Sequence, residues 1–357
     1  MSGGPVTAAD VDDFVLGAKL LSGGGASHGT MPARWLRHAM ATRGDVRLVP
    51  PGSLPESAQC LAIGFIGSPT IQSEKLPMVG QFAEAVRVAE RRLGHEVGAL
   101  AALNAAGVNA LAPLLAATEL GLPVADADGM GRIFPNVERS VFTLAGLDVG
   151  PCTLAGAQGD VMIIEPAGNM RAEALIRPAT VALGGWCVAV LYPMSAGLLA
   201  RHGIHGSVSR VLDVGRTLRR AAASDEPRGH RLAAGLGGRL LASGIVAEVH
   251  RPSRRGFPSG AVIVTDLDDP DRSVRLETQN EYMLALADGV PLAAVPDLIC
   301  TVDHDTGEPV DIERLHYGHV VDVITLPAAP AWHTAAGLAL AGPETFGYAL
   351  PRDQGDR

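Results

Sequence analysis

The sequence has little that would suit a nucleic acid or a charged membrane surface. The 38 Asp and Glu residues outnumber the 29 Lys and Arg residues, so the formal net charge is −9. Proteins that bind polyanions usually carry a basic patch, often with interleaved aromatic residues, and none occurs here. The densest basic group, Arg251, Arg254 and Arg255, is typical of a solvated loop. We therefore expect no nucleic acid and no membrane as a partner.

Long apolar runs and a targeting signal are also missing. No run of 18 apolar residues occurs that could span a bilayer. The first residues lack the charged start and the continuous apolar core of a signal peptide. The cytoplasm is the expected location.

Cysteine is scarce, and its four positions argue against disulfides and zinc sites. Cys60, Cys152, Cys187 and Cys300 are far apart, each lies in an apolar neighbourhood, and no CxxC pair occurs. This pattern predicts buried thiols. A cysteine nucleophile stays open as the less favoured alternative.

A nucleotide-binding glycine loop is not found in the usual order. The helical spacing from Asp10 to Leu21 is followed by Gly23, Gly24 and Gly25, whereas a phosphate-binding glycine loop precedes its helix. We therefore expect no nucleotide cofactor. The three glycines still expose backbone amides, so they are candidates for substrate binding, with a simple helix stop as the alternative.

The chain is long enough for two domains. Its 357 residues, 47% of them hydrophobic, exceed what one core usually serves. The patterning predicts an α/β domain with a mainly parallel sheet over residues 8–168. A β-rich domain with one helix near 208–223 is predicted over residues 169–357.

The first half predicts a site at the carboxyl edge of a parallel sheet. Strands are expected at 59–66, 97–103 and 122–125. Helices are expected between them at about 80–93, with an apolar stripe along one side, and at about 110–120, and they should end at Gly94 and Gly121. The loops after these strands, residues 67–75, 104–109 and 126–132, should gather at one edge, where open α/β sheets bind ligands.

Most charged residues of these loops lie in or near the stretch from Gly121 to Pro135. Unpaired charged side chains are costly to bury, so their density favours a site, although a solvated turn would explain them too. Glu74 and Lys75 could instead form a surface pair, and Asn109 could simply cap a helix. The catalytic candidates are Asp126, Asp128, Arg132, Glu74 and Lys75, and Asn109 is a candidate for substrate binding.

The second half offers one further polar group. Asn280 and Glu281 stand between a predicted strand and an apolar run, so they are candidates for substrate binding, with a β-bulge or turn as the alternative. The stretch from Asp303 to Gly307 contains His304 but is more typical of a hairpin turn than of a metal site.

Taken together, these segments resemble a bacterial family, formerly a domain of unknown function, named after S-methyl-thiohydantoin desulfurase. The similarity spans nearly the whole chain and follows one order of motifs. These are residues 21–25, 67–69 with 74–75, 107–109, 121–135, 279–281, 296–299, 317–318, and 342–343 with 346–348.

The resemblance implies a substrate class and contains two departures. Members are associated with hydantoin and oxoproline metabolism, which implies a small cyclic amide or thioamide as substrate. Where the family pattern has Glu-Ile-Gly-Gly, this chain has Asn104, Ala105, Ala106 and Gly107, and Ala26 stands where another glycine is usual. Either change could mean a different substrate or an inactive homologue.

Removal of sulfur from a thiohydantoin is an addition of water followed by loss of a thiol. It needs a base for water and a cation for the developing negative charge. Asp126 or Asp128 could act as the base or hold a divalent metal, and Arg132 or Lys75 could stabilise charge. We expect a hydrolase or desulfurase and leave a homo-oligomer open. The alternative is a non-catalytic ligand-binding homologue or a subunit of a hydantoinase-type complex.

Overall fold

The structure is a computed structural model that describes residues 4–25, 30–222, 228–251 and 259–350. The chain forms two compact units. Unit 1 comprises Met1–Ser22 and Ala26–Arg219, and unit 2 comprises Gly23–Gly25 and Arg220–Arg357. The division into domains 8–168 and 169–357 stays a prediction.

Unit 1 contains an eight-stranded sheet with helices around it. Its strands are β1 (Leu48–Val49), β2 (Gln59–Gly67), β3 (Val97–Ala102), β4 (Val124–Asp128), β5 (Cys152–Gly156), β6 (Val161–Ile164), β7 (Trp186–Ser195) and β8 (Ile204–His205). Its helices are α1 (Val11–Leu21), α2 (Thr30–Arg43), α3 (Pro69–Glu74), α4 (Gln81–Leu93), α5 (Ala112–Leu120), α6 (Val141–Leu144), α7 (Asn169–Ala182), α8 (Ala196–His202) and α9 (Ser207–Ala222), whose last residues pass into unit 2.

The parallel part of the sheet holds the predicted site. The strand order is β1-β4-β3-β2-β7-β5-β6, and β8 pairs with β4. β1, β4, β3 and β2 run parallel, which confirms the expected parallel sheet, and the remaining strands extend it antiparallel. The carboxyl ends of β2, β3 and β4 therefore lie side by side.

Glycines end the two helices that connect these strands. Gly94 follows α4 with a φ of 74°, and Gly121 follows α5 with a φ of 70°. Both values lie in the left-handed region, which glycine adopts without steric cost. These helix stops were expected from the sequence.

Several elements differ from the sequence expectations. α2, α7 and α8 were not predicted; α7 contains Pro178, and its Met170 and Val181 are exposed, so it has no one-sided apolar stripe. β4 continues through Asp128, so Asp126 and Asp128 belong to the strand rather than to the loop after it.

Unit 2 contains a seven-stranded antiparallel sheet, as the β-rich prediction required. The strands are β9 (Arg239–His250), β10 (Ser259–Asp266), β11 (Ser273–Gln279), β12 (Glu281–Ala287), β13 (Val290–Ala294), β14 (Leu298–Asp303) and β15 (Val320–Leu326). Their order is β13-β12-β11-β10-β9-β15-β14. Helices α10 (Arg228–Gly235) and α11 (Ala335–Ala341) accompany the sheet. Together with α7 and α8, they show that the prediction of a single helix within residues 169–357 is wrong.

The core of unit 2 lies on one face of this sheet. Val246, Leu276 and Val323 are fully buried within it. The hydroxyl groups of Tyr282 on β12 and Thr301 on β14 are 3.0 Å apart, so the sheet curls enough to bring these two strands together. In the described part of the chain, no helix is long and apolar enough to cross a membrane.

Candidate functional site

The carboxyl ends of β3 and β4 are joined through the side chain of Asp128. Its Oδ2 accepts hydrogen bonds from the backbone N–H of Ala105 at 2.7 Å and from that of Gly131 at 2.9 Å. Ala105 follows β3, and Gly131 follows β4, so one carboxylate fixes both loops. The loops after β3 and β4, two of the three predicted loops, therefore meet at Asp128.

Burial gives the Asp128 carboxyl an unusually high pKa. The residue is 0% exposed, and this loss of solvation raises its pKa to about 6. The hydrogen bonds from Ala105 and Gly131 and the hydroxyl of Ser207 oppose the shift by favouring the charged form. A carboxyl with such a pKa changes its protonation near neutral pH, which is a property suited to acid–base chemistry.

Asp126 has a different environment, although it lies only two residues earlier. Its Oδ1 accepts from the backbone N–H groups of Val208 and Ser209, each at 3.0 Å, and its Oδ2 accepts from the Ser209 hydroxyl at 2.5 Å. These donors belong to the first turn of α9. Asp126 thus satisfies the open amides of a helix N-terminus, and this is sufficient to explain its burial.

Arg132 lies in a loop whose two ends meet at Gly129. The carbonyl of Gly129 accepts hydrogen bonds from the backbone N–H of Val141 at 2.8 Å and from the Ser140 hydroxyl at 3.0 Å. Within this closed loop Arg132 is 1% exposed, and its guanidinium lies 5.0 Å from the centre of the Phe134 ring. The loop therefore holds a buried cation beside the end of β4.

The same loop contains a buried carboxyl that sequence reasoning missed. Glu138 is 5% exposed, burial raises the pKa of its carboxyl, and its Oε2 has no hydrogen-bond partner among the described residues. The Tyr192 hydroxyl donates to the carbonyl of Val137 at 2.8 Å, and Tyr192 has a φ of 47°, which is strained for a non-glycine residue. The signal in the sequence was the Glu138-Arg139 pair just before the apolar run of α6.

The remaining candidates of unit 1 face other partners. Asn109 does not cap a helix as one interpretation expected; its Oδ1 accepts from the backbone N–H of Phe65 at 2.5 Å and so ties the β3–α5 connection to β2. Lys75 donates to the carbonyl of Gly184 at 2.8 Å, and Glu74 is exposed. Lys75 and Glu74 thus belong to the end of α3 rather than to the loop around Asp128.

The other binding candidates lie in unit 2. The carbonyls of Gly23 and Gly24 accept from the backbone N–H groups of Tyr282 and Ile312, at 2.9 and 3.0 Å. A Cβ on Gly24 would come within 2.4 Å of the Tyr282 ring, so this position requires glycine. Gly23–Gly25 are buried, which differs from the expected exposed amides, and Ala26 lies outside the described residues.

Asn280 is the turn residue between β11 and β12, because Gln279 and Glu281 on either side of it pair with each other. Asn280 has a φ of 75°, and its Nδ2 donates to Glu281 Oε1 at 2.8 Å. The pairing of β11 with β12 shifts register between Glu277 and Thr278. This shift lies further along β12, so Asn280 occupies the turn that the sequence left as an alternative, and Glu281 is buried at 1% exposure.

The comparisons with known proteins identify the family. No curated relative matches this sequence. Two family models match in succession, the S-Me-THD-like N-terminal domain over residues 9–166 and the S-Me-THD-like C-terminal domain over residues 167–354. The chain belongs to the S-Me-THD-like family. This confirms the resemblance to the S-methyl-thiohydantoin desulfurase family.

A solved structure shows the same fold as this S-Me-THD-like protein. It is the crystal structure of a protein from Chromobacterium violaceum, determined in a structural genomics programme. The two chains share 23% sequence identity with a TM-score of 0.81, and the match covers 98% of this chain and 99% of that chain. At this identity the likeness concerns the fold alone.

The donor set of this S-Me-THD-like protein does not fit a metal held by Asp126 and Asp128. Across residues 4–25, 30–222, 228–251 and 259–350, no group of three or more His, Cys, Asp or Glu residues is placed to hold a metal ion. Moreover, backbone N–H groups and a hydroxyl already bind these carboxylates, and such donors compete with a cation for the same lone pairs.

Three of the four cysteines are also poor candidates for a nucleophile. All four are buried free thiols, as predicted. Burial raises the pKa of Cys60 and of Cys152 to about 12, and that of Cys187 to about 11. A thiol with such a pKa is protonated at neutral pH and reacts poorly.

Proposed function

We propose that this protein hydrolyses a small cyclic thioamide derivative of the thiohydantoin type, with release of a thiol, at the carboxyl ends of β3 and β4. The observation that carries the proposal is the fully buried Asp128 carboxyl, whose pKa is raised to about 6 at the end of a parallel strand. Membership in the S-Me-THD-like family over residues 9–354 supports the substrate class.

The proposed reaction begins with the addition of water to the ring carbon that bears sulfur. Asp128 removes a proton from the water as the C–O bond forms, and negative charge develops on the ring. The C–S bond then breaks, and the proton held by Asp128 passes to the departing sulfur. The remaining proton of the water moves from the new hydroxyl to the ring nitrogen that carried the negative charge, so a carbonyl and a ring N–H form. One water is consumed and one thiol is released, so Asp128 serves first as base and then as acid.

The raised pKa suits Asp128 to both steps. At pH 7 a carboxyl with a pKa of about 6 is mostly ionised, yet it is a stronger base than an ordinary aspartate. Arg132, the buried cation of the adjoining loop, is assigned to the negative charge that develops on the ring. Asp126 and Lys75 receive no chemical role because α9 and Gly184 engage them.

The assay for this proposal is thiol release from an S-alkylated thiohydantoin, followed with a thiol-reactive dye. Asp128→Asn removes the base, so we expect kcat to fall by at least about 100-fold. Asp126→Asn is the matched control, since it makes the same change two residues away. The far-UV circular dichroism of both variants shows whether they fold. Turnover of a folded Asp128→Asn variant at the wild-type rate would refute the assignment.

One observation favours a second candidate, a ligand-binding homologue without turnover. Asn104 stands where the family pattern has a glutamate, so a carboxylate is absent beside the proposed base. In that case the wild-type protein binds hydantoins in a calorimeter but releases no thiol from thiohydantoins. Thiol release by the wild-type protein excludes this candidate.

A further inference from the structure

Asn104 is a buried polar side chain whose hydrogen bonds are left incomplete. It follows the carboxyl end of β3, is 2% exposed, and its Oδ1 has no hydrogen-bond partner among the described residues. Within the described part of the chain, its Nδ2 donates to the sulfur of Met130 alone, at 3.7 Å. A thioether is a weak acceptor, so both ends of this carboxamide are poorly satisfied.

Such an arrangement is costly unless something else completes it. Buried polar groups are nearly always hydrogen-bonded, and an orphaned one in a native protein needs an explanation. Asn169, in the same unit, shows the ordinary case. Its Nδ2 donates to Thr143 Oγ1 and to the Leu147 carbonyl, and its Oδ1 accepts from the Val149 N–H at 2.8 Å.

The position of Asn104 links it to the proposed chemistry. The next residue, Ala105, donates its N–H to Asp128 Oδ2 at 2.7 Å, and Met130 lies two residues beyond Asp128. Asn104 is therefore held between the loops after β3 and β4. A ligand bound beside Asp128 would therefore lie close to this carboxamide.

We propose that Asn104 determines substrate specificity by recognising a secondary amide of the ring. Its Oδ1 accepts from a ring N–H, and its Nδ2 donates to the neighbouring ring carbonyl in place of the Met130 sulfur. The methionine side chain has three rotatable bonds and loses only a weak interaction when it moves aside. The inference rests on the proposed substrate class and adds which ring atoms form hydrogen bonds with the protein.

The charge of the residue fits the same class of ligand. A carboxamide offers one donor and one acceptor, which matches a neutral –NH–CO– unit, whereas a glutamate at this place would offer acceptors only. A ring whose nitrogen carries an alkyl group lacks the donor and would leave Oδ1 unpaired. Sites built to bond a buried N–H reject such analogues strongly.

The test compares binding of hydantoin, 1-methylhydantoin and 3-methylhydantoin by calorimetry. We expect the wild-type protein to bind hydantoin and to disfavour at least one methylated isomer by about 100-fold or more. Asn104→Leu keeps the number and branching of the side-chain heavy atoms and removes the hydrogen bonds, so it should reduce this ratio to within about threefold. An unchanged ratio in Asn104→Leu, or no binding of hydantoin by the wild-type protein, overturns the inference.

Thermal stability separates recognition from a structural role. Asn104→Leu removes an incompletely bonded amide and should leave the Tm unchanged or raise it, whereas the same change at the fully bonded Asn169 should lower it. A fall of equal size in both variants contradicts the inference. Thiol release by the wild-type protein tests the proposed function separately, since binding selectivity does not depend on turnover.

Discussion

Asp126 and Asp128 differ by two positions on one strand, yet their partners give them different roles. Asp126 accepts three hydrogen bonds from the first turn of α9, while Asp128 accepts from two backbone amides and has a pKa raised to about 6. The sequence placed both carboxylates in the loop that follows a buried strand. It could not separate them, because the deciding donors, such as Val208 and Ala105, are distant along the chain.

The structural role of Asp126 leads to a prediction about stability. Replacing it with alanine leaves the amides of Val208 and Ser209 without their acceptor, so we expect the free energy of unfolding to fall by about 1–2 kcal/mol. Urea denaturation measures the change. Asp148→Ala is the control, because Asp148 is exposed. Equal stability of the two variants would contradict the capping role.

The buried residues of the site that were not selected from the sequence show a further limit of sequence reasoning. Arg132 was selected because it lies close to two aspartates, but Glu138 and Asn104 were not selected as candidates. What marks them is burial with unsatisfied oxygens, and burial of loop residues depends on tertiary packing. A single sequence does not record that packing.

At the scale of elements, α1 and α9 cross at two glycines. A Cβ on Gly17 would lie 1.9 Å from the Val211 carbonyl oxygen, and a Cβ on Gly215 would lie 1.7 Å from the Asp13 carbonyl oxygen. The contacted atoms are backbone, so no side chain can move away to make room. The crossing also includes an ion pair between Arg216 and Asp10 at 2.8 Å.

This crossing predicts a severe effect for a small substitution. Gly215→Ala forces the two helices apart, and we expect unfolding to become easier by about 3 kcal/mol or more. Guanidinium denaturation followed by circular dichroism is the measurement. Gly52→Ala, where no atom lies within 4 Å of the new Cβ, should change stability little. A mild effect at Gly215 would show that the helices do not pack this closely.

Local sequence signals predicted some elements well and others poorly. The apolar stripe of α4 and the glycines after α4 and α5 were sufficient to place those helices. α7 was missed because Pro178 interrupts it and exposed apolar residues blur its pattern. The length of β4 was underestimated since aspartates are rare in strands, and only the partners of Asp126 and Asp128 make them tolerable there.

At the scale of the whole molecule, the motifs of the family fall into both compact units. Asp128, Arg132 and Asn104 belong to unit 1, whereas Gly24 and Glu281 belong to unit 2. The order of motifs was enough to recognise the family from the sequence, and the two family models confirm it. Which residues of these motifs have a chemical role and which have a structural one depends on three-dimensional contacts, so the sequence could not reveal it.

The central claim is that Asp128 is the base that activates water, and the pH dependence of kcat/KM tests it most directly. The base works only when ionised, so kcat/KM for thiol release should rise with pH, bend at an apparent pKa near 6 and remain level up to pH 8. A profile that is flat from pH 5 to 8, or that bends near the ordinary aspartate value of about 4, would contradict the account.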